Sequence, residues 1–278
     1  MRIIKGNTAL RQLIPNTLAT VPGEPSWYEK LYPSLQEAER WLEQNITGKA
    51  VLDALQSEDD TNIVKQVCAK IITAQALMSA IPSLDLVLTP NGFGIVNTQN
   101  VVPASKDRIE RLINSVEKQR DEAIDTLLCK LPSWEGWLES PQGRFFAATL
   151  FPRLSICRRL AVREHLWDKY QEIRTRLIKI EAVLAQTYFS PEQMDVFRQK
   201  VIKQLQPNAI MTDVIRQLQS LEMMLVTDMQ VHPQSFFDIV NTIREHADIF
   251  PEWHQSKTAE LYMPITFLNK KESSGYFF

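Results

Sequence analysis

Cysteine and glycine are both scarce in this chain, and their scarcity excludes several classes of protein. The 278 residues include only 8 glycines and 3 cysteines. Cys68, Cys129 and Cys157 are widely spaced and form no Cys-x-x-Cys pair, so the sequence predicts reduced, mostly buried thiols in place of a disulfide framework or a zinc site. No apolar run is long enough to span a bilayer, and we therefore expect no membrane partner.

Motifs for phosphate binding, metal binding and nucleophilic catalysis are missing as well. Gly92 and Gly94 follow a predicted strand, but a second strand follows them where a phosphate loop would begin a helix. The four histidines form no His-Glu-x-x-His pair, and no Gly-x-Ser-x-Gly elbow occurs. The sequence therefore predicts a non-enzymatic protein with no catalytic residues, no metal site and no cofactor.

The overall charge is balanced, with 31 basic and 33 acidic side chains, which argues against a bulk nucleic-acid binder. One stretch without acidic residues nevertheless carries five arginines: Arg144, Arg153, Arg158, Arg159 and Arg163. On one helix, Arg159 and Arg163 would be neighbours and would repel each other. We expect this segment to face DNA or another anion, or alternatively to form a solvated face paired with Glu164, Asp168 and Glu172.

Apolar residues recur at spacings of three and four through most of the chain, which is typical of helices that bury one face. The pattern predicts helices near residues 7–14, 26–46, 48–56, 61–81, 104–131, 153–188, 190–205, 208–229 and 234–249. Ser190-Pro191 combines a helix cap with a first-turn proline and indicates that a new helix begins there.

Residues 84–97 break this helical pattern with two alternating apolar runs around Pro90-Asn91-Gly92. Such a turn favours a β-hairpin, and a two-stranded hairpin is marginal in water unless it packs on something. We expect it either to pack on its own domain or to bind a partner. The candidate partner-binding side chains are Leu86, Leu88, Phe93 and Ile95.

The helical stripes repeat along the chain, which predicts an internal duplication. A shift of about 142 residues places Leu31, Glu39 and Asp53 on Ile173, Glu181 and Asp195. After the next helix, Pro132 and Trp134 are echoed by Pro251 and Trp253. The second copy lacks the hairpin, which is therefore predicted to be an insertion with a specific role.

The segment "LYMPITFLNKKESSGYFF", residues 261–278, has no helical period and ends in aromatic residues. Extended tails with aromatic anchors are efficient interface elements, so we expect this arm to dock into a neighbouring subunit or, alternatively, to pack on its own domain. The candidate anchors are Phe267, Tyr276, Phe277 and Phe278.

Taken together, these patterns predict an all-α fold made of two related helical-bundle modules, one inserted β-hairpin and an extended C-terminal arm. The predicted domains are an N-terminal module over residues 1–152, which carries the hairpin, a second module over residues 153–260, and the arm over residues 261–278.

The stretches "NGFGIVNTQNVVPASKDRIERL", "FPEWHQS" and "NKKESSGYFF" also resemble a family of proteins encoded in the structural-gene blocks of tailed phages and prophages of gut bacteria. The resemblance implies a virion protein, made in the host cytoplasm, that acts as a head–tail connector or adaptor subunit. It implies a homo-oligomeric ring that contacts the portal and the tail or neck proteins. Genomic DNA would pass through the channel without sequence-specific contacts.

A different class of protein fits the same residues: an intracellular helical adaptor or regulatory protein that binds one protein partner through its hairpin. Deleting residues 261–278 separates the two hypotheses, since it is expected to block ring assembly in the first and to leave the second functional.

Overall fold

The computed structural model describes residues 1–14, 25–83, 86–89, 92–95 and 105–263, with the side chains of the two strand segments left out of the description. The described backbone is helical almost throughout, and the fold is all-α.

The chain divides into two compact units, a first unit of residues 1–175 with 201–203 and a second unit of residues 176–200 with 204–278. The division predicted from the sequence, after residue 152, lies too early in the chain. Residues 153–175 belong to the first unit because they pack into its core. There the hydroxyl of Tyr170, for example, donates to the carbonyl oxygen of Phe151 at 3.0 Å.

In chain order, the first helices are α1 (Asn7–Leu13), α2 (Trp27–Leu42), α3 (Lys49–Ser57), α4 (Ile63–Ala80), α5 (Lys106–Lys130), α6 (Pro141–Ala147) and α7 (Ser155–Arg159). They are followed by α8 (Leu166–Leu184), α9 (Pro191–Ile202), α10 (Ala209–Val226), α11 (Pro233–Glu245), α12 (Pro251–His254) and α13 (Lys257–Glu260). Two π-helical turns, Glu43–Thr47 and Ala185–Phe189, extend α2 and α8, and two 3₁₀ turns, Ile81–Ser83 and Leu131–Ser133, extend α4 and α5.

Local capping explains where several helices begin. The hydroxyl of Ser26 accepts from the backbone N–H of Glu29, whose carboxylate accepts in turn from the N–H of Ser26, which forms a capping box at α2. Asn62 and Asn208 cap α4 and α10 with their side-chain oxygens. Each cap satisfies backbone donors that the first helical turn leaves without a partner.

The core of the first unit forms where α4 packs against both α2 and α5. Leu35 on α2, Ile71 and Ile72 on α4, and Ile124 and Leu127 on α5 are all fully buried. Burial of a side chain of this size contributes about 1.5–3 kcal/mol, so these faces hold the unit together.

Two antiparallel strands, β1 (Leu86–Thr89) and β2 (Gly92–Ile95), lie between α4 and α5 in the chain. Leu86 pairs with Ile95 and Thr89 pairs with Gly92. In the part of the chain that the structure describes, these strands contact chiefly each other. The rest of the predicted hairpin, residues 84–85, 90–91 and 96–97, lies outside the described residues.

The single helix predicted over residues 153–188 is wrong. Helix α7 ends at Arg159 and α8 begins at Leu166, and the connection contains two residues in the left-handed region, Ala161 (φ 60°) and His165 (φ 52°). Consequently Arg159 and Arg163 are not successive turns of one helix, and the repulsion expected between them has no structural basis.

Candidate interaction surfaces

A buried tryptophan anchors the end of the first unit. The indole Nε1 of Trp137 donates to the carbonyl oxygen of Ile46, in the first π-helical turn, at 2.9 Å. The hydroxyl of Ser140 donates to the carbonyl oxygen of Trp137 at 2.6 Å and accepts from the backbone N–H of Gly143 at 3.0 Å. The same serine therefore fixes the tryptophan backbone and caps α6.

The second unit contains the same arrangement around Trp253. Its Nε1 donates to the carbonyl oxygen of Tyr188, in the second π-helical turn, at 2.8 Å. Ser256 donates to the carbonyl oxygen of Trp253 at 2.6 Å and accepts from the N–H of Ala259 at 3.2 Å. The sequence overlay pairs Trp134 with Trp253, but the residue that makes the same contacts as Trp253 is Trp137.

Each π-helical turn ends at a residue with positive φ. That residue is Gly48 (φ 74°) after the first turn and Ser190 (φ 61°) after the second. A glycine adopts this conformation without strain, whereas Ser190 is fully buried and its hydroxyl accepts from the backbone N–H of Gln193. Both turns therefore redirect the chain in the same way before the next helix begins.

Buried carboxylates in both units are paired with arginine. In the first unit, Glu39 accepts from Arg2 Nε at 3.2 Å, and the same guanidinium reaches Asp53 at 2.8 Å and also contacts Glu43. These charges join the N-terminal segment to α2 and α3, so their role is structural.

The second unit repeats this pattern with an arginine from another place in the sequence. Arg198 on α9 donates to Glu181 on α8 and to Asp195, at 2.8 and 2.7 Å. Glu222 on α10 lies close to this pair and is fully buried, and neither of its carboxylate oxygens has a hydrogen-bond partner in the described part of the chain. This carboxyl group is a source of pH-dependent stability.

The aromatic end of the first unit is covered by α8. Phe146 is fully buried, and its ring stacks between Trp137 and Tyr170 at centroid distances of 6.1 and 6.2 Å. The guanidinium of Arg174 lies 3.4 Å from the ring centroid of Phe145 and donates to the carbonyl oxygen of Phe145 through Nε at 3.0 Å. Nearby, the rings of Trp167 and Trp41 meet edge to face at 5.2 Å.

The corresponding end of the second unit is partly exposed among the described residues. Tyr262 packs against Trp253 and Tyr188, each at a centroid distance of 6.3 Å, and its hydroxyl donates to the carbonyl oxygen of Thr187 at 2.7 Å. The adjacent Leu261 is 74% exposed. This surface combines aromatic and aliphatic side chains that face solvent in the described part of the chain.

The predicted arginine segment is largely exposed. Arg144, Arg158, Arg159 and Arg163 are exposed, and none of them forms an ion pair with another described residue. Arg159 lies over the ring of Phe151 at 5.8 Å, whereas Arg153 is half-buried and contacts the sulfur of Cys129. The acidic partners expected from the sequence do not pair with these arginines. Glu172, for example, pairs with Lys169.

The remaining predicted contact residues are only partly described. Leu86, Leu88, Phe93 and Ile95 lie in the two strands, but their side chains are outside the description. The predicted anchors of the arm, Phe267, Tyr276, Phe277 and Phe278, lie outside the described residues altogether. Their role in binding a partner therefore stays a prediction.

The three cysteines are free thiols, of which Cys68 and Cys157 are buried and Cys129 is half-buried. Burial raises the pKa of Cys68 to about 12 and that of Cys157 to about 11, so both thiols stay protonated at neutral pH. Within the described ranges, no group of three or more His, Cys, Asp or Glu side chains is arranged to hold a metal ion. A search of the same ranges finds no helix with the length and hydropathy needed to cross a membrane.

One family model matches the chain. It describes a family of unknown function (DUF6712) and covers residues 14–146, slightly less than half of the chain. The matched stretch contains Trp137, Ser140 and Gly143, which build the tryptophan anchor of the first unit. No curated protein and no solved structure matches the chain. The first unit is thus similar, from the end of α1 to α6, to a family whose function is not known.

Proposed function

We propose that this protein is a non-enzymatic structural protein of a phage virion, a head–tail connector subunit that forms a homo-oligomeric ring between the portal and the tail. The sequence resemblance described above suggests this class of protein. The observation that carries the proposal is the pair of strands between α4 and α5, which contact chiefly each other in the described part of the chain. An isolated two-stranded hairpin is marginal in water, so a neighbouring subunit or portal protein is a suitable packing partner.

The two units also support an internal duplication, with the hairpin as an insertion in the first copy. Trp137 and Trp253 donate to equivalent carbonyl groups of their π-helical turns, and Glu39 and Glu181 are each paired with an arginine. In the second unit, residues 227–232 connect α10 directly to α11. A helical module that folds without the hairpin leaves the hairpin free for contacts with another protein.

The copy number of the protein in purified particles tests this proposal. We would measure it by quantitative mass spectrometry against the portal and major capsid proteins. A value close to that of the portal is expected. A value close to that of the capsid protein contradicts the connector, and complete absence contradicts the virion protein and favours the intracellular adaptor.

A hairpin replacement tests the observation that carries the proposal. Residues 81–116 are replaced by the sequence of residues 227–232, which joins α10 to α11 in the second unit, because the spacing that relates Trp137 to Trp253 places the start of α11 on Glu117. We expect the variant to keep its helical circular dichroism and its urea midpoint but to be missing from particles. Incorporation of this variant at the normal copy number would exclude the hairpin as a contact element.

The exposed arginines give the ring a surface for DNA. Changing Arg158, Arg159 and Arg163 together to glutamine removes three charges that have no ion-pair partner among the described residues, so the expected loss of stability is about 0.5–1 kcal/mol, the size of the cation–π contact between Arg159 and Phe151. We expect particles to assemble but to retain packaged genomes poorly, because these side chains would no longer neutralise phosphates in the channel.

The control for this experiment removes the same charge elsewhere. Arg108, Arg111 and Lys118 on α5 are also exposed, and their change to glutamine should leave genome retention unaltered. Equal retention by both triple variants and the wild type would remove the channel role from the arginine segment.

A further inference from the structure

We propose that the exposed end of the second unit, formed by Val183, Leu261 and Tyr262, binds helix α2 of a second copy of this chain through Tyr28 and Tyr32. This inference rests on the proposed ring and names the contact that would build it. It is argued from the first unit, where a helix equivalent to α2 covers the equivalent end.

The contact inside the first unit is the template. Trp41, Phe145 and Phe146 line the end of that unit, and three side chains of α8, Trp167, Tyr170 and Arg174, cover them. Arg174 also donates twice to the carbonyl oxygen of Phe145, at 3.0 and 2.6 Å. One face of one helix thus makes the stacking, cation–π and hydrogen-bond contacts that close the unit.

The same end of the second unit is covered only in part by the described residues, because Phe237 packs on Tyr262 but leaves Val183 and Leu261 exposed. The spacing that places Ile46 on Tyr188 places Trp41 on Val183, and the spacing that places Trp137 on Trp253 places Phe145 and Phe146 on Leu261 and Tyr262. Val183 is 61% exposed and Leu261 is 74% exposed, whereas Tyr262, the counterpart of the fully buried Phe146, is half-buried. The second unit therefore presents a partly open counterpart of the surface that α8 closes in the first.

The sequence of α2 identifies the occupant. The shift that relates Ile46 to Tyr188 also relates Tyr28 and Tyr32 on α2 to Tyr170 and Arg174 on α8. The rings of Tyr28 and Tyr32 meet edge to face at 5.6 Å, and Tyr32 is 36% exposed. Two neighbouring aromatic side chains therefore lie where α8 carries its covering residues.

Local contacts hold these two tyrosines in place. The hydroxyl of Tyr28 donates to the carbonyl oxygen of Ile4 at 3.2 Å, and the amide of Gln36 donates to the hydroxyl of Tyr32 at 3.1 Å. Rings that are already ordered lose little conformational entropy on binding, and tyrosine is enriched among the residues that dominate interface energies.

The sizes of the side chains also match at the position that the contact between Trp41 and Trp167 occupies in the first unit. The bulky pair of Trp41 and Trp167 in the first unit corresponds to Val183 in the second unit and Pro25 before α2. Val183 and Pro25 are both small, whereas their counterparts Trp41 and Trp167 are both large. A small residue on each side lets the backbones approach without leaving a void, which fits a second version of the same contact.

A contact between two different surfaces of identical chains is heterologous, and repetition of such a contact closes a ring when the rotation between subunits permits it. The expected assembly thus needs no symmetric self-complementary patch. Each copy contributes one α2 face and one open end, and every copy in a closed ring has both surfaces occupied.

Sedimentation velocity of the full-length chain with two single variants tests this contact. Tyr32→Asp removes the α2 face and Leu261→Asp removes the open end, so each variant alone is expected to sediment as a monomer. A mixture of the two in equal amounts is expected to form dimers and nothing larger, because one intact face of each kind remains in every pair. The controls Leu112→Asp and Met229→Asp alter exposed apolar side chains outside these surfaces and should assemble like the wild type.

Three results would overturn the proposal: a wild-type chain that stays monomeric at its solubility limit, variants that assemble like the wild type, or a mixture that stays monomeric. If Leu261→Asp lowers the urea midpoint of a wild-type-like monomer, the C-terminal residues of the same chain are the occupant. The sedimentation result tests the contact independently of the copy number in particles, which tests the connector function. Assembly through these faces by a protein absent from particles would retain the contact and reject the connector function, and unaffected variants of a protein present at portal copy number would do the reverse.

Discussion

The Gly143→Ala variant is expected to lose about 3 kcal/mol or more in the free energy of unfolding of the first unit. A Cβ atom at Gly143 would lie 2.0 Å from the carbonyl oxygen of Trp137 and 2.7 Å from the Cα of Leu138. Both are backbone atoms, and the indole of Trp137 is held by Ile46, so nothing nearby can move cheaply. Overpacking of this kind typically costs about 1–3 kcal/mol and more where the backbone must shift.

Urea unfolding followed by circular dichroism measures this loss, and Gly136→Ala is the matched control. Gly136 has a φ of +74° but no atom within 4 Å of its hypothetical Cβ, so only backbone strain of about 1 kcal/mol is expected there. A cost at Gly143 no larger than the cost at Gly136 would mean that α6 does not pack against the Trp137 backbone as described.

Most of the helical frame could be predicted from local signals. The four-residue spacing between Val67 and Ile71 follows the helical period of α4. Asn62 and Asn208 are recognisable as N-caps of α4 and α10. The turn residues around Gly92 indicate a hairpin, and strands are described on both sides of it. These features depend on residues that are close in sequence, so the sequence alone contains them.

The break between α7 and α8 depends on residues that are far away in the chain. Asp121 on α5 accepts from the backbone N–H of Leu166 at 3.1 Å and so caps α8 from outside. Asp125 on the same helix accepts from the N–H of Ser155 at 3.1 Å at the start of α7. No glycine or proline lies between α7 and α8 to indicate a break near Ala161. The spacing of the apolar residues therefore favours a single helix.

Only part of the candidate surfaces can be predicted from the sequence. The arginine segment is recognisable from its charge alone, whereas an overlay that pairs Trp134 with Trp253 does not predict the contacts of Tyr170 and Arg174 with Phe146 and Phe145. The signal that finds them is the Trp-x-x-Ser spacing shared by Trp137 and Trp253, which fixes the correct register. Even with that register, the exposure of Leu261 in the second unit becomes apparent only in the three-dimensional structure.

The Glu222→Gln variant is expected to be more stable than the wild type at neutral pH by about 1–3 kcal/mol, because the wild type must take up a proton at Glu222 on folding whereas glutamine is neutral in both states. Burial raises the pKa of Glu222 well above its ordinary value, the carboxylate of Glu181 raises it further, and Arg198 opposes both. Arg198 does not cancel the effect because its guanidinium is already paired with Glu181 and Asp195.

The sign of the pH dependence follows from the proton on Glu222. The folded protein keeps this proton at pH values where the unfolded chain, with a pKa near 4.5, has already lost it. Stability from this group is therefore lost as the pH rises from that value through the raised pKa of the folded state. Below both pKa values the carboxyl is neutral in either state, so wild type and Glu222→Gln should have nearly equal stability in acid and diverge as the pH increases.

Urea midpoints of the two proteins from about pH 4 to about pH 8 measure this divergence. Glu181→Gln is the control at the same cluster. It should be less stable than the wild type at neutral pH, because it removes the buried charge that Arg198 needs and so leaves a mostly buried guanidinium without its main partner. Parallel curves for wild type and Glu222→Gln across this range would mean that Glu222 is ionised in the folded protein and that solvent or another cation reaches it. Divergent curves would instead identify Glu222 as a neutral acid that links the second unit's stability to pH.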